Sequence, residues 1–358
     1  MEKQQIQTMA DVLISNRTRK IKNQFFSQVD TLIDWQPILK IINKFYKKTS
    51  SATGRPAYNG LVLFKICLLQ TWYGLSDYEV EDRLNDSLSF SKFVGLPSEE
   101  SSPDHSTISR FRSLMSKHKA YDTLLKEINN QLEKHQIIVK KGVLVDASVV
   151  ETPHRPKSKP GYEIVEDRQD EAPSQENQEK EQKEKKYQKV HQPGVDTEGG
   201  WLKKGKKAMY GFKKHVVTDQ EGMVLGVVTT AANVNEISNL KEVLDNVELE
   251  AQTAVFADKG YQSEKNQEVL SKKRLKSRIL HKSKRNKKIS EREVNFNKAC
   301  SKIRYKVERT FGSIKRWFNG GRARYRGQEK VHGQNVLESL AYNLYRSPGI
   351  VIANSTKM

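Results

Sequence analysis

From residue 143 onward the chain alternates between short β-rich runs and amphipathic helical runs, and that order admits few folds. The first run, "VLVDASVVE" (143–151), reads as a buried strand because Val143, Leu144, Val145, Val149 and Val150 crowd it with apolar side chains. Two more β-rich runs within 206–236 flank "DQEG", a hairpin signal. Residues 235–249 place Ile237, Leu240, Val243, Leu244 and Val247 on one side of a helix. "TAVFADKGYQS" (253–263) is a strand that ends at Asp258. A helix at 263–274, a strand at 277–282 and a long helix from about 290 to 318 follow. A strand, a hairpin and then alternating helices and strands predict an α/β domain with a mixed sheet and flanking helices.

The first part reads differently. "TLIDWQPILKIINKFY" (31–46) has helical spacing at Leu32, Trp35, Leu39, Ile42 and Tyr46. The run "GLVLFKICLLQTWYGL" (60–75) is a core helix; it carries Lys65 and is too short to span a bilayer. Ser76 followed by Glu79 predicts a capping box. In "SSPDHSTISRFRSLMSKH" (101–118), Ser106 or Thr107 caps a helix that presents Arg110, Arg112 and Lys117. Short helices leading into a basic one suit a helix-turn-helix-like DNA reader, and an amphipathic bundle helix fits equally well. Residues 1–135 are therefore expected to form a helical N-terminal DNA-binding domain, 136–347 the α/β domain and 348–358 a tail. Residues at about 152–206 are polar, highly charged and almost devoid of apolar side chains, which predicts a disordered insert.

Charge narrows the partner. The formal net charge is +20, and residues 271–330 alone hold 22 Lys and Arg against 4 Asp and Glu. Nearly the whole excess lies in one stretch interleaved with aromatics, which points to nucleic acid. Cys67 and Cys300 are the only cysteines, too few for a disulfide framework or a zinc cluster, and no signal peptide is apparent. A cytoplasmic protein bound to the nucleoid, without a membrane partner, is expected.

Three acids stand out in this setting. Asp146 lies inside the first strand, where a carboxylate is costly unless something pairs with it. Asp258 ends a later strand. In "SKIRYKVERTFGSIKRWF" (301–318), Ile303, Val307, Phe311, Ile314 and Phe318 form one helical stripe. Arg304, Glu308 and Lys315 fall within about 40° of one another beside that stripe. Carboxylates without a Cys/His cluster favour hard cations, Mg²⁺ or Mn²⁺, and two such ions suit phosphodiester chemistry.

These blocks carry a resemblance. "VLVDAS", "FADKGYQS" and "IRYKVERTFGSIKRWF" resemble the three blocks of DDE transposases of bacterial insertion sequences, with the insertion-sequence-five-like group of the insertion-sequence-four superfamily the nearest match. Arg304, Glu308 and Lys315 match that superfamily's signature; its Tyr position is Ser301 here. "YNGLVLFKICLLQTWYGLSDYEVEDRL", "PDHSTISRFR" and "YGFKKHV" are similar to further parts of the group. The resemblance implies a ribonuclease-H-like catalytic domain, in keeping with the element order. It also implies that Asp146, Asp258 and Glu308 hold two Mg²⁺ (or Mn²⁺) ions for cleaving element ends and joining their 3′-OH groups to target DNA. Arg304 and Lys315 would grip phosphates, and Arg110, Arg112, Lys213 and His215 would touch DNA. The partners implied are the terminal inverted repeats, target DNA and a second copy of the chain in a DNA-bound homodimer. A structure-selective nuclease on the same fold and a non-catalytic transposase-derived regulator are the alternatives.

Overall fold

A computed structural model describes residues 20–46, 57–97, 100–158, 161–165, 186–190, 192–283 and 289–355. Among the described residues seven helices precede the sheet: α1 Lys20–Leu32, α2 Trp35–Phe45, α3 Gly60–Tyr73, α4 Asp77–Asp86, α5 Leu88–Val94, α6 His105–Lys117 and α7 Ala120–Lys134. Their ends follow local chemistry. The Ser76–Glu79 capping box starts α4. α6 starts one turn earlier than expected, capped by Asp104, whose carboxylate accepts from the Thr107 amide. α3 is buried on all sides, and its one charge is accounted for. Lys65 Nζ donates to Asp30 Oδ1 at 2.9 Å and to the Phe93 carbonyl at 3.0 Å, under the Trp35 ring.

The sheet then forms as the hydrophobic pattern dictates. β1 (Gly142–Glu151) pairs antiparallel with β5 (Lys207–Asp219), and β5 pairs antiparallel with β6 (Val224–Ala231). β7 (Ala254–Ala257) pairs parallel with β1, and β8 (Lys276–Ile279) parallel with β7. The core order is thus β6-β5-β1-β7-β8. A 3₁₀ turn (Glu236–Asn239) and α8 (Leu240–Asp245) join β6 to β7. A 3₁₀ turn (Lys259–Tyr261) and α9 (Glu264–Lys272) join β7 to β8. Two long helices, α10 (Glu291–Phe318) and α11 (Gln328–Ser355), complete the chain. This is a mixed α/β fold behind a helical N-terminal region, with the element order expected of a ribonuclease-H-like domain.

Three expectations change. The polar segment is built at both ends: β2 (Gly161–Val165) and β3 (Lys186–Val190) pair with each other, and β4 (Gly200–Lys204) adds to β5. Backbone hydrogen bonding and the buried Asp196 anchor the 192–204 stretch, although its side chains are polar; the expectation of disorder over 166–185 lies outside the described residues. Residues 348–355 are not a tail but the last turns of α11, carried through Pro348. Finally, the helical region and the sheet share one continuous core running from Phe26 to Leu344. α11 supplies the join, packing on β6 as well as on α1, α3, α6 and α7. Trp72 Nε1 donates to the Ala341 carbonyl at 2.9 Å, and Asn129 and Asn343 both donate to the Val224 carbonyl.

Candidate active site

β1 and β7 run parallel with Val145 opposite Ala257, so the next residues, Asp146 and Asp258, stand side by side where β7 ends. Asp258 opens the 3₁₀ turn without capping it through its side chain. Asp146 Oδ1 accepts from the Ala147 amide. α10 brings the third acid. Its stripe of Val307, Phe311, Ile314 and Phe318 is buried, as the spacing predicts. The β5–β6 turn locks the helix along its axis: the Thr310 hydroxyl donates to the Gly222 carbonyl at 2.8 Å. Gly222 has φ +84°, and a Cβ there would meet Thr310 Oγ1 at 2.5 Å, so the turn needs glycine on both counts.

One turn before Glu308, Arg304 spans the acids. Its guanidinium donates to Asp146 Oδ2 at 2.8 Å and to Glu308 Oε1 at 2.7 Å. Burial pushes the Asp146 carboxyl up to about 6. Arg304 and the Ala147 amide oppose that rise, while the negative charges of Glu236 and Asp258 add to it. Glu236 is an acid the sequence reading missed.

The donor set fits a hard divalent cation in kind, since only carboxylate oxygens are on offer. As the side chains stand, no group of three Asp, Glu, His or Cys among the described residues converges to hold an ion. Arg304 instead supplies the positive charge between Asp146 and Glu308.

Seven residues beyond Glu308 on the same helix, Lys315 lies along the backbone of Gly321. Burial together with the neighbouring Lys214 and Lys204 lowers its pKa, against the pull of Glu151. Lys214 is itself neutralised by Glu338, which leaves Lys315 and Lys204 as the cations of this stretch.

Three of the residues expected to touch DNA sit elsewhere. Lys213 and His215 alternate to the face opposite Val216, the cross-strand partner of Asp146. Lys213 is buried and donates to the Val234 carbonyl at 2.9 Å. His215 is fully buried with Nε2 3.0 Å from Thr230 Oγ1. Burial, helped by Lys213, lowers its pKa to about 4, so the ring is neutral at neutral pH. Arg112 is buried as well: it holds both oxygens of Asp77 at 2.7 Å and lies under the Tyr325 ring.

Arg110, by contrast, is exposed on the same helix. With Lys117, Lys330 and a row of serines (Ser106, Ser109, Ser113) it lines a broad open groove between α4, α6 and the start of α11. Tyr78 is 65% exposed at the groove edge, and its ring stacks on His105 at 4.0 Å. Tyr78 and Lys330 are further candidates that no local pattern marked. Trp317 is also exposed, stacked on Tyr342 rather than buried.

These placements make opposite predictions for two arginines in one helix. Arg110→Ala is expected to weaken duplex binding several-fold with no loss of stability. Arg112→Ala strands the Asp77 carboxylate and is expected to cost about 3 kcal/mol of folding free energy. Fluorescence-anisotropy titration and urea unfolding of both variants check this; equal effects on stability would refute the division.

Among the described residues no helix is long and apolar enough to cross a membrane. Residues 138–344 match the family described as Transposase DDE domain, and residues 15–114 match a second one, Transposase domain (DUF772). No solved structure matches the chain. The first match spans more than half of the sequence and takes in the strands and the helix that bear Asp146, Asp258 and Glu308, so the chain belongs to the DDE transposase family.

Proposed function

We propose that this transposase belongs to the insertion-sequence-five-like group, binds the inverted repeats at the ends of its element, cleaves there and joins the 3′-OH ends to target DNA. The observation that carries this reading is the triad's arrangement. Asp146, in the middle of β1, lies beside Asp258, which directly follows the parallel strand β7, and Glu308 is tied to Asp146 through a single guanidinium. Asp146, Asp258 and Glu308 would hold Mg²⁺ or Mn²⁺, two ions in all. Such a pair activates the attacking oxygen and stabilises the leaving one.

The protein's own side chains do the rest. Arg304 neutralises the acids at rest and then turns to a phosphate of the bound end. Lys315 and Lys204 draw the scissile backbone toward the carboxylates. The Arg110–Lys117–Lys330 groove holds the flanking duplex, with Tyr78 available to stack. Residues 1–135 act chiefly in DNA binding and 136–347 in catalysis, despite their common core. Two copies act together on paired ends, in the bacterial cytoplasm at the nucleoid.

Precut ends carrying the repeats that flank the gene test the reading. With Mg²⁺ and a supercoiled plasmid, wild type is expected to yield joined products on a gel. Cleavage of branched DNA without any joining would instead identify a structure-selective nuclease.

A further inference from the structure

Glu236 lies at the start of the 3₁₀ turn that follows β6. β6 runs parallel to β1 through their shared partner β5, so this turn leaves the sheet at the same end as the C-terminus of β1. It is clamped against the turn that follows Asp258. The buried Asn266 side chain donates to the Ile237 carbonyl at 3.1 Å and to the Tyr261 carbonyl at 2.8 Å. Glu236 Oε2 comes within 3.6 Å of the Cβ position at Gly260, two residues past Asp258. Its other oxygen is 3.5 Å from the Lys213 ammonium, which holds the carboxylate in place without closing a short hydrogen bond.

A second observation points into the same space. Tyr261 is fully buried, and its hydroxyl has no hydrogen-bond partner. The charges acting on that hydroxyl are Asp146, Glu236, Asp258 and Arg304. A buried hydroxyl without a partner is expensive, and such groups call for an explanation. Here the orphaned hydroxyl belongs to the turn that opens at Asp258, one residue past the Gly260 that Glu236 approaches.

We infer that Glu236 is a fourth carboxylate of the metal site, and that Tyr261 is a positioning residue whose hydroxyl donates to these carboxylates once the ions are bound. The inference rests on the metal-dependent reading above. It accounts for Lys213, which serves as the countercharge of Glu236 and not as a DNA contact.

Mn²⁺ titration of the full-length protein, followed by electron paramagnetic resonance with and without duplex carrying the flanking repeats, tests it. Glu236→Gln is expected to weaken Mn²⁺ binding about 10-fold or more, and Glu236→Asp by less. Glu242→Gln, an exposed acid on α8, serves as the control for loss of surface charge and is expected to bind as wild type does. Tyr261→Phe deletes only the orphaned hydroxyl, so it should melt at or above the wild-type temperature while binding Mn²⁺ more weakly. A purely structural tyrosine would not separate those two readouts. Wild-type affinity in Glu236→Gln, beside lost affinity in Asp146→Asn, would overturn the inference and leave the three-acid site standing. No Mn²⁺ uptake by wild type in either condition would overturn both.

Discussion

Asp146→Asn is expected to abolish Mg²⁺-dependent cleavage, on the order of 10⁴-fold, while leaving the fold and DNA binding intact. The asymmetry follows from where the acid sits. Burial and the charges of Glu236 and Asp258 all disfavour the ionised form of Asp146, so a neutral amide removes a cost as well as a contact. The amide oxygen can still accept from Ala147, and Arg304 keeps Glu308 as a partner. Thermal unfolding should therefore shift little, and anisotropy titration should give a Kd near that of wild type. Cleavage of end-bearing DNA read on a gel supplies the third measurement. Loss of folding together with activity would mean that Asp146 is a structural acid paired with Arg304. Retained cleavage would remove it from the reaction.

The largest effect on stability is expected from Glu338→Ala. Glu338 lies on α11 and its carboxylate meets the Lys214 ammonium of β5 at 2.8 Å, with the two residues 3% and 1% exposed. Gln334 donates to the second oxygen. Gly320, in the turn out of α10, packs so closely that a Cβ would come within 2.5 Å of Glu338 Oε2. One pair thus fastens the sheet, the exit of α10 and the C-terminal helix. Removing the acid leaves a buried ammonium with no countercharge, and the cost of breaking such a pair is about 3–5 kcal/mol. The double variant Lys214→Met/Glu338→Leu removes both charges and is expected to regain most of the loss. Urea unfolding measures both. A loss below about 1 kcal/mol in the single variant would show that water reaches the ammonium.

What the sequence disclosed, and what it withheld, divides by range. The Ser76–Glu79 capping box, the α10 stripe and the DQEG turn each depend on residues a few positions apart, and each forms as expected. Helical spacing also put Arg304 beside Glu308, and the structure pairs them. Spacing cannot say which side of an amphipathic helix another element will cover. Arg110 and Arg112 look alike in sequence; only the approach of Asp77, 35 residues earlier, separates a surface cation from a buried one. Lys213 and His215 fall on the far face because of strand pairing, which a single run does not reveal. β4 escaped notice because its hold on β5 runs through the backbone, while its side chains read as polar loop. Glu236 sits in an ordinary loop sequence, and only the fold brings it beside Gly260 and Lys213.

The position of α11 has a consequence for how the protein comes into being. This helix is the wall on which both the early helices and the sheet close, and the Trp72–Ala341 hydrogen bond joins residues 269 apart. The helices before β1 leave the ribosome long before that wall exists. They must wait with apolar faces open while some 200 further residues are translated. Closure of the full core is therefore late, and such distant closure is slow. A message cut short before α11 would yield a chain without its keystone, left with exposed apolar surface and a target for proteases.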